Sequence, residues 1–206
     1  VPRWIKGSSF LTYGYKDING IVQAKEYNAL IPTDPAIPVT NDSSNKVDGN
    51  TVLNPSNGSQ YFISGINSTN TAHIYKRSSF GAMFVQNEVV TPTSVNLDAP
   101  ALNQSHEPII FNGQLYSAFQ INNSGNNFAQ TAFNKPGEIW LTTVDNPNQQ
   151  MWLLSDFDIT LNVSEPEAYV GNEKVWVFYS AATLDDSPSF INRKYQLRRC
   201  ETPINQ

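Results

Sequence analysis

Four stretches of the chain follow one plan. "WIKGSSFLTYGY", "LNPSNGSQYFISGI", "IIFNGQLYSAFQI" and "AYVGNEKVWVFYSA" each read as a short apolar strand, a tight polar turn and a longer apolar strand. Laying the turns over one another brings Phe10, Tyr61, Tyr116 and Trp176 to the same point of the second strand, at separations of 51, 55 and 60 residues. A third strand follows each pair ("GIVQAKEY", "TAHIYKR", "GEIWLTTV", "NRKYQLRR"), and fourth-strand candidates such as "MFVQNEVV" and "QMWLLS" come after. Sustained i, i+3, i+4 periodicity is absent while Asn, Gly, Ser and Pro interrupt every few residues, so the chain reads as all-β. A lone four-stranded sheet leaves both faces wet, whereas repetition lets neighbours bury the aromatic and β-branched residues between them. The expectation is a single β-propeller domain over residues 1–206, with four-stranded antiparallel blades near 1–47, 48–104, 105–163 and 164–206. Four blades either close alone or form part of a five-bladed ring whose further blade comes from another chain segment or subunit. A β-sandwich is the alternative, because sandwiches also give short strands with regular turns.

Charge narrows the list of partners. Lys and Arg total 13 against 18 Asp and Glu, a net charge of -5, and nucleic-acid binders need clustered cations to replace counterions. The basic group Arg193, Lys194, Arg198 and Arg199 reads as a solvated strand face, so no nucleic acid is expected. The chain holds 24 Asn but 15% charged residues, so amides and hydroxyls solvate its surface, a composition common outside the cell. Six Asn-x-Ser/Thr sequons, at Asn41, Asn57, Asn67, Asn103, Asn122 and Asn162, fit an extracellular, secreted glycoprotein. The lone Cys200 excludes an internal disulfide and reads as a buried small residue. No apolar run approaches the roughly 18 residues that cross a bilayer, and "VPRWIKG" lacks a signal peptide's apolar core. A soluble chain without membrane insertion, any leader already removed, is expected.

In a propeller the first strand of each blade lines the central channel, so residues at its start converge from distant parts of the sequence. Here those starts read "VPRW", "VDGNT", "SHEP" and "SEPE", and three of the four carry an acid. Convergent carboxylates push one another's pKa values apart, which is what general acid/base chemistry requires. Taken singly, an Asp before Gly-Asn or a Glu before Pro also fits a turn or a cap. Trp4, Trp140 and Trp152 are candidates for stacking on sugar faces, against the alternative of packing between blades. "LDD" and "SDFD" lack the glycine-containing spacing of a calcium loop, so no metal and no cofactor is assigned. A cation held in the channel by converging Asp, Glu and His106 stays open.

These blade starts resemble those of the five-bladed propeller glycosidases, specifically family 43 glycoside hydrolases such as arabinofuranosidases, arabinanases and xylosidases. "VDGNTVLNPSNGSQYFISG" resembles the family's "IDGT" blade, whose Asp tunes the acid and orients substrate; the resemblance implies that role for Asp48. "SHEPIIFNGQLYSAFQI" follows at one blade's distance, where the family carries its general acid in a Glu-Gly-Pro segment, and this implies Glu107 as the acid. His106 and the missing glycine depart from the pattern. "SEPEAYVGNEKVWVFYSAATLDDSP" resembles the same motif as well, which makes Glu165 a rival acid and Glu167 a weaker one. The family's general base, an Asp of an Asp-Pro motif on the first blade, has no counterpart at a strand start. "VPRWIKGSSFLTYGY" looks like the second blade, and Asp34-Pro35 lies in a Pro-rich connection. The resemblance implies hydrolysis with inversion, a protonated Glu serving the leaving oxygen while an ionised Asp activates water.

Two functions therefore stand at the level of sequence. One is a secreted hydrolase-like protein acting on arabinose- or xylose-containing glycans, its enzyme status open because the general base has no counterpart at a strand start. The other is a non-catalytic lectin-like or structural subunit of an extracellular assembly on the same scaffold.

Overall fold

A computed structural model describes residues 2–4, 8–38, 46–54, 58–66, 72–77, 88–89, 102–122, 136–145, 150–156, 158–184 and 193–205. For residues 46–54, 58–66, 72–77, 88–89 and 102–105 the description is of strand backbone. The described residues are all-β apart from one 3-10 turn at Pro203–Asn205.

The first sheet joins β1 (Arg3–Trp4), β2 (Phe10–Lys16), β3 (Val22–Asn28) and β4 (Ile37–Pro38) in sequence order. The second joins β5 (Lys46–Asn54), β6 (Gly58–Ile66), β7 (Ala72–Arg77) and β8 (Glu88–Val89), and the third β9 (Leu102–Phe111), β10 (Gln114–Asn122), β11 (Gly137–Thr143) and β12 (Met151–Leu153). Within each sheet the pairing is antiparallel. One parallel pairing, Ala72 with Leu102, links the second and third sheets into a continuous eight-stranded one. The fourth sheet has three described strands, β13 (Leu161–Gly171), β14 (Lys174–Thr183) and β15 (Tyr195–Glu201). The repeat thus shows as four consecutive antiparallel units, the last three starting two or three residues ahead of the expected blade starts.

The strand β15 ends for a local reason. Thr202 turns the chain back onto β14, its backbone N–H and its hydroxyl both donating to the Val175 carbonyl at 3.1 and 3.0 Å. Pro203 follows, and a proline cannot donate to a continuing ladder. Asn205 then accepts from Val175 N–H at 2.7 Å and donates to its carbonyl at 3.0 Å, strapping the tail to the strand.

The third sheet is buried on both faces. Ile109, Tyr116, Ala118, Ile139 and Leu141 meet Val163, Val175, Val177, Tyr179 and Ala181 of the fourth sheet in one core. Leu115, Phe119, Ile121 and Val144 form a second cluster on the opposite face. The alternation along β10 sorts its residues between these two clusters, as a pleated strand must. Ile139, Leu141, Val175 and Val177 are 0% exposed, and each such side chain contributes roughly 1.5–3 kcal/mol of burial. Gly137 lets β11 pass close to β13, since a Cβ there would lie 2.7 Å from the Val163 carbonyl oxygen.

Two hairpins of these sheets turn in two residues with left-handed backbone, Asn112-Gly113 (φ 50° and 77°) and Asn172-Glu173 (φ 52° and 59°). That geometry matches the twist of the flanking strands and favours Asn-Gly. Glu173 occupies the position that glycine fills in the third sheet.

Candidate functional site at the starts of the first strands

The strands β5, β9 and β13 open their sheets, and β9 packs against both of the others. Each of the three carries one extra residue. On β5, Val47 is inserted between the pairs Lys46↔Gly65 and Asp48↔Ser64. On β9, Ser105 and His106 together oppose Phe119, between Gln104↔Gln120 and Glu107↔Ala118. On β13, Glu165 and Pro166 oppose Tyr179, between Ser164↔Ser180 and Glu167↔Phe178. Such bulges bend a strand and re-aim its side chains. In all three cases the first residue paired regularly after the bulge is an acid: Asp48, Glu107, Glu167.

This register sets the equivalences. Counted from their two-residue turns, β9 and β13 superpose Ser105 on Glu165, His106 on Pro166 and Glu107 on Glu167. The backbone therefore matches Glu107 with Glu167, not with Glu165. Glu165 itself has φ 55°, a left-handed conformation that a β-carbon disfavours, and its side chain is exposed.

The burial of these groups differs. His106 is 0% exposed. Glu107 is half-buried and shares the face of Ala118, Ile109 and Phe111 that packs on the fourth sheet. Glu167 is exposed, on the face of the fourth sheet that carries Phe178. Asp48 is placed by its backbone, and its side chain lies outside the described residues.

The aromatic candidates occupy separate places. Trp4 on β1 is 62% exposed. Trp140 is on β11, its indole N–H donating to Glu138 Oε2 at 2.7 Å and its ring resting against the second cluster. Trp152 on β12 packs against the main core. Trp140 and Trp152 thus sit on the third and fourth strands of their sheet, away from the strand that carries Glu107. Asp34 lies in the exposed turn before β4, its N–H donating to the Ile31 carbonyl at 3.0 Å, rather than on an opening strand.

Among the sequon residues, Asn41, Asn57 and Asn67 lie outside the described residues, and Asn103 and Asn122 are described by backbone on β9 and β10. Asn162 is 1% exposed within β13.

One acid escaped the sequence reading. Glu26 on β3 is 0% exposed, opposite Thr12 of β2, in a sheet whose β2 and β3 adjoin β5. Its signal was present: in "VQAKEY" Glu26 keeps phase with Val22 and Ala24, an acid on the apolar face of an alternating strand. Burial, and then the charges of Asp156 and Glu201, raise the half-buried Cys200 thiol above its ordinary value. No group of three or more His, Cys, Asp or Glu side chains fit to hold a metal occurs among the described residues. None of the described helices is long and apolar enough to cross a membrane.

No protein-family model matches the chain, and no curated protein matches it in sequence. Solved structures do. A thermostable family-43 glycoside hydrolase is similar over 96% of this chain with a TM-score of 0.62 and 14% identity, and the chain spans 69% of it. The GH93 α-L-arabinofuranosidase of Fusarium graminearum, solved with arabinobiose, matches over 98% with a TM-score of 0.58 and 10% identity, 62% of that chain being spanned. A Trypanosoma rangeli sialidase in complex with sialic acid matches over 98% with a TM-score of 0.55 and 14% identity, and there the chain spans 30%. The chain is therefore all-β and built of antiparallel sheets, similar in fold and at low identity to solved propeller glycoside hydrolases. At the level of particular proteins, the neighbours include hydrolases named for arabinose-containing glycans.

Proposed function

We propose that the protein is a secreted, extracellular carbohydrate-active protein whose substrates or ligands are arabinose- or xylose-containing glycans. The reading rests on one observation: three successive opening strands each carry a bulge followed by an acid, on a fold shared with glycoside hydrolases. Glu107 is the best-supported proton donor, since it is half-buried on the face that packs against the fourth sheet. Glu165 is exposed on its bulge, and Glu167 lies on an uncovered face. Asp48, which follows the matching bulge on β5, takes in this reading the role of orienting sugar.

Inverting hydrolysis needs a second carboxylate roughly 6.5–9.5 Å from the acid to activate water. The chain offers Asp34 in an exposed turn for that role, so a weakened or absent hydrolytic step is part of the proposal. The experiment is release of nitrophenol from aryl-arabinofuranoside and aryl-xyloside. Turnover in the native chain that falls by about 10²–10⁴ in Glu107→Gln, and much less in Glu165→Gln, supports hydrolysis with Glu107 as acid. No turnover combined with calorimetric binding of arabino- or xylo-oligosaccharide leaves the lectin-like form. Neither turnover nor binding ends both.

A further inference from the structure

A cavity of about 250 Å³ lies in the first sheet, lined by Phe10, Asn28, Asp34, Pro35 and Ile37. The register gives its place. Phe10 opens β2 opposite Asn28, the last residue of β3, and β1 runs toward that end, since Arg3 pairs with Thr12 and Trp4 with Leu11. The cavity is therefore at the finish of its sheet's opening strand, whereas Asp48, Glu107 and Glu167 follow bulges on theirs. Two successive turns build its roof, Ile31 N–H donating to the Asn28 carbonyl at 3.2 Å and Asp34 N–H to the Ile31 carbonyl at 3.0 Å.

Asn28 is held in one orientation. Its Oδ1 accepts from Leu30 N–H at 3.1 Å and from the Ser9 hydroxyl at 2.9 Å, and a backbone N–H can be met only by the oxygen of a carboxamide. That leaves the Asn28 NH2 with two donors, while the Asp34 carboxylate is an acceptor. Neither takes part in a hydrogen bond or ion pair among the described residues. An aromatic ring, a proline and an isoleucine thus share the cavity with an uncommitted donor and an uncommitted acceptor.

We propose that this cavity binds one sugar ring, as a glycan-holding site separate from the acids of the opening strands. An apolar lining with a few placed polar groups is the usual composition of a ligand pocket, and this one falls below the roughly 300–1,000 Å³ that takes a drug-sized molecule, so its occupant is a single ring. A sugar answers each part of the lining. Its C–H face rests on Phe10, one hydroxyl donates to the Asp34 carboxylate, and a neighbouring hydroxyl accepts from the Asn28 NH2. An aliphatic side chain would leave both polar groups without a partner, and a cation would leave the amide without one. The site does not require hydrolysis at Glu107.

The test is heteronuclear NMR of the amide groups during titration with methyl xyloside and methyl arabinofuranoside, up to about 50 mM, where a site of millimolar Kd is filled. Saturable shifts are expected at the Asn28 side-chain NH2 and at the backbone of residues 28–37 with at least one of the two. Asp34→Ala, in an exposed turn, weakens them at least about tenfold, and its own spectrum shows that it is folded. No shift at residues 28–37 with either sugar overturns the proposal. Equal shifts in Asp34→Ala, or with the open-chain polyol xylitol, overturn it as well. Shifts confined to β5 and β9 overturn it while leaving the glycan reading of those strands in place.

Discussion

The third and fourth sheets are built on one plan and stand in different surroundings. Their hairpins superpose residue for residue, each first strand bulges at the same distance from its turn, and their second strands alternate alike. Yet the third is enclosed on both faces, and the fourth is enclosed on one. The difference teaches that the sequence of a repeat fixes the shape of a unit, while position in the stack decides which of its apolar residues carry energy.

The largest effect expected from breaking this comparison is in the shared core. Leu141→Ala removes a fully buried side chain and costs about 2–5 kcal/mol. Leu197→Ala, at the adjoining row of the open face, changes stability by less than about 0.5 kcal/mol, since Leu197 is 78% exposed. Urea denaturation followed by tryptophan fluorescence measures both. Equal costs at the two positions would mean that the fourth sheet's face is covered in the single chain.

A smaller effect sharpens the comparison at the turns. Glu173 holds a left-handed conformation in the place that Gly113 fills in the third sheet. Glu173→Gly is expected to stabilise by about 1 kcal/mol, the order of the β-carbon penalty in that region. A loss of stability would show that the Glu173 side chain makes a contact worth more than the strain it carries.

The smallest effect is electrostatic and belongs to the fourth sheet and the loop that leads into it. Glu201 is held below its ordinary 4.5 first by the hydrogen bond from Lys174, 2.6 Å away, and Asp158 below 3.8 first by the Thr160 hydroxyl. Both folded values are depressed, so their contribution is present above the ordinary carboxylate range and is lost as the pH falls through and below it. Both groups face solvent, and salt screens the pair. Thermal unfolding followed from pH 7 to pH 3 should therefore show a slight decline that Lys174→Ala flattens. An unchanged slope would show that the ion pair contributes nothing to the pH dependence.

Much of the fold was legible in the sequence. The four strand-turn-strand segments, their third strands, and "QMWLLS" as a fourth strand lie where alternation and turn residues put them. The dimensions of a unit come through because a hairpin needs its turn and an apolar face needs a partner. The register of the opening strands was read less well, for a physical reason. A bulge adds a residue without changing composition, so matching the Glu-Pro pairs in "SHEP" and "SEPE" sets Glu107 against Glu165. The hydrogen-bond ladder sets it against Glu167. Glu26 was missed because acids were sought at strand starts, while its signal was its phase within an alternating strand. Which face of the fourth sheet stays open could not be read at all, since it depends on neighbours and not on the unit.

The extra residue in each opening strand also divides that strand in two. On β13, Leu161 and Val163 face the shared core before the bulge, and Ala168, of opposite parity, faces it afterwards. The inserted position acts as a phase reset, so the two halves answer to separate constraints. The half beyond the bulge must pair and pack to hold the sheet. What differs between the units is the bulge itself, Ser105 and His106 on β9 against Glu165 and Pro166 on β13, while the residue after it is an acid in each. A lineage can therefore rewrite the tip of every unit while keeping the frame, which gives one architecture room to gain, alter or lose a chemistry by substitutions at a few strand ends.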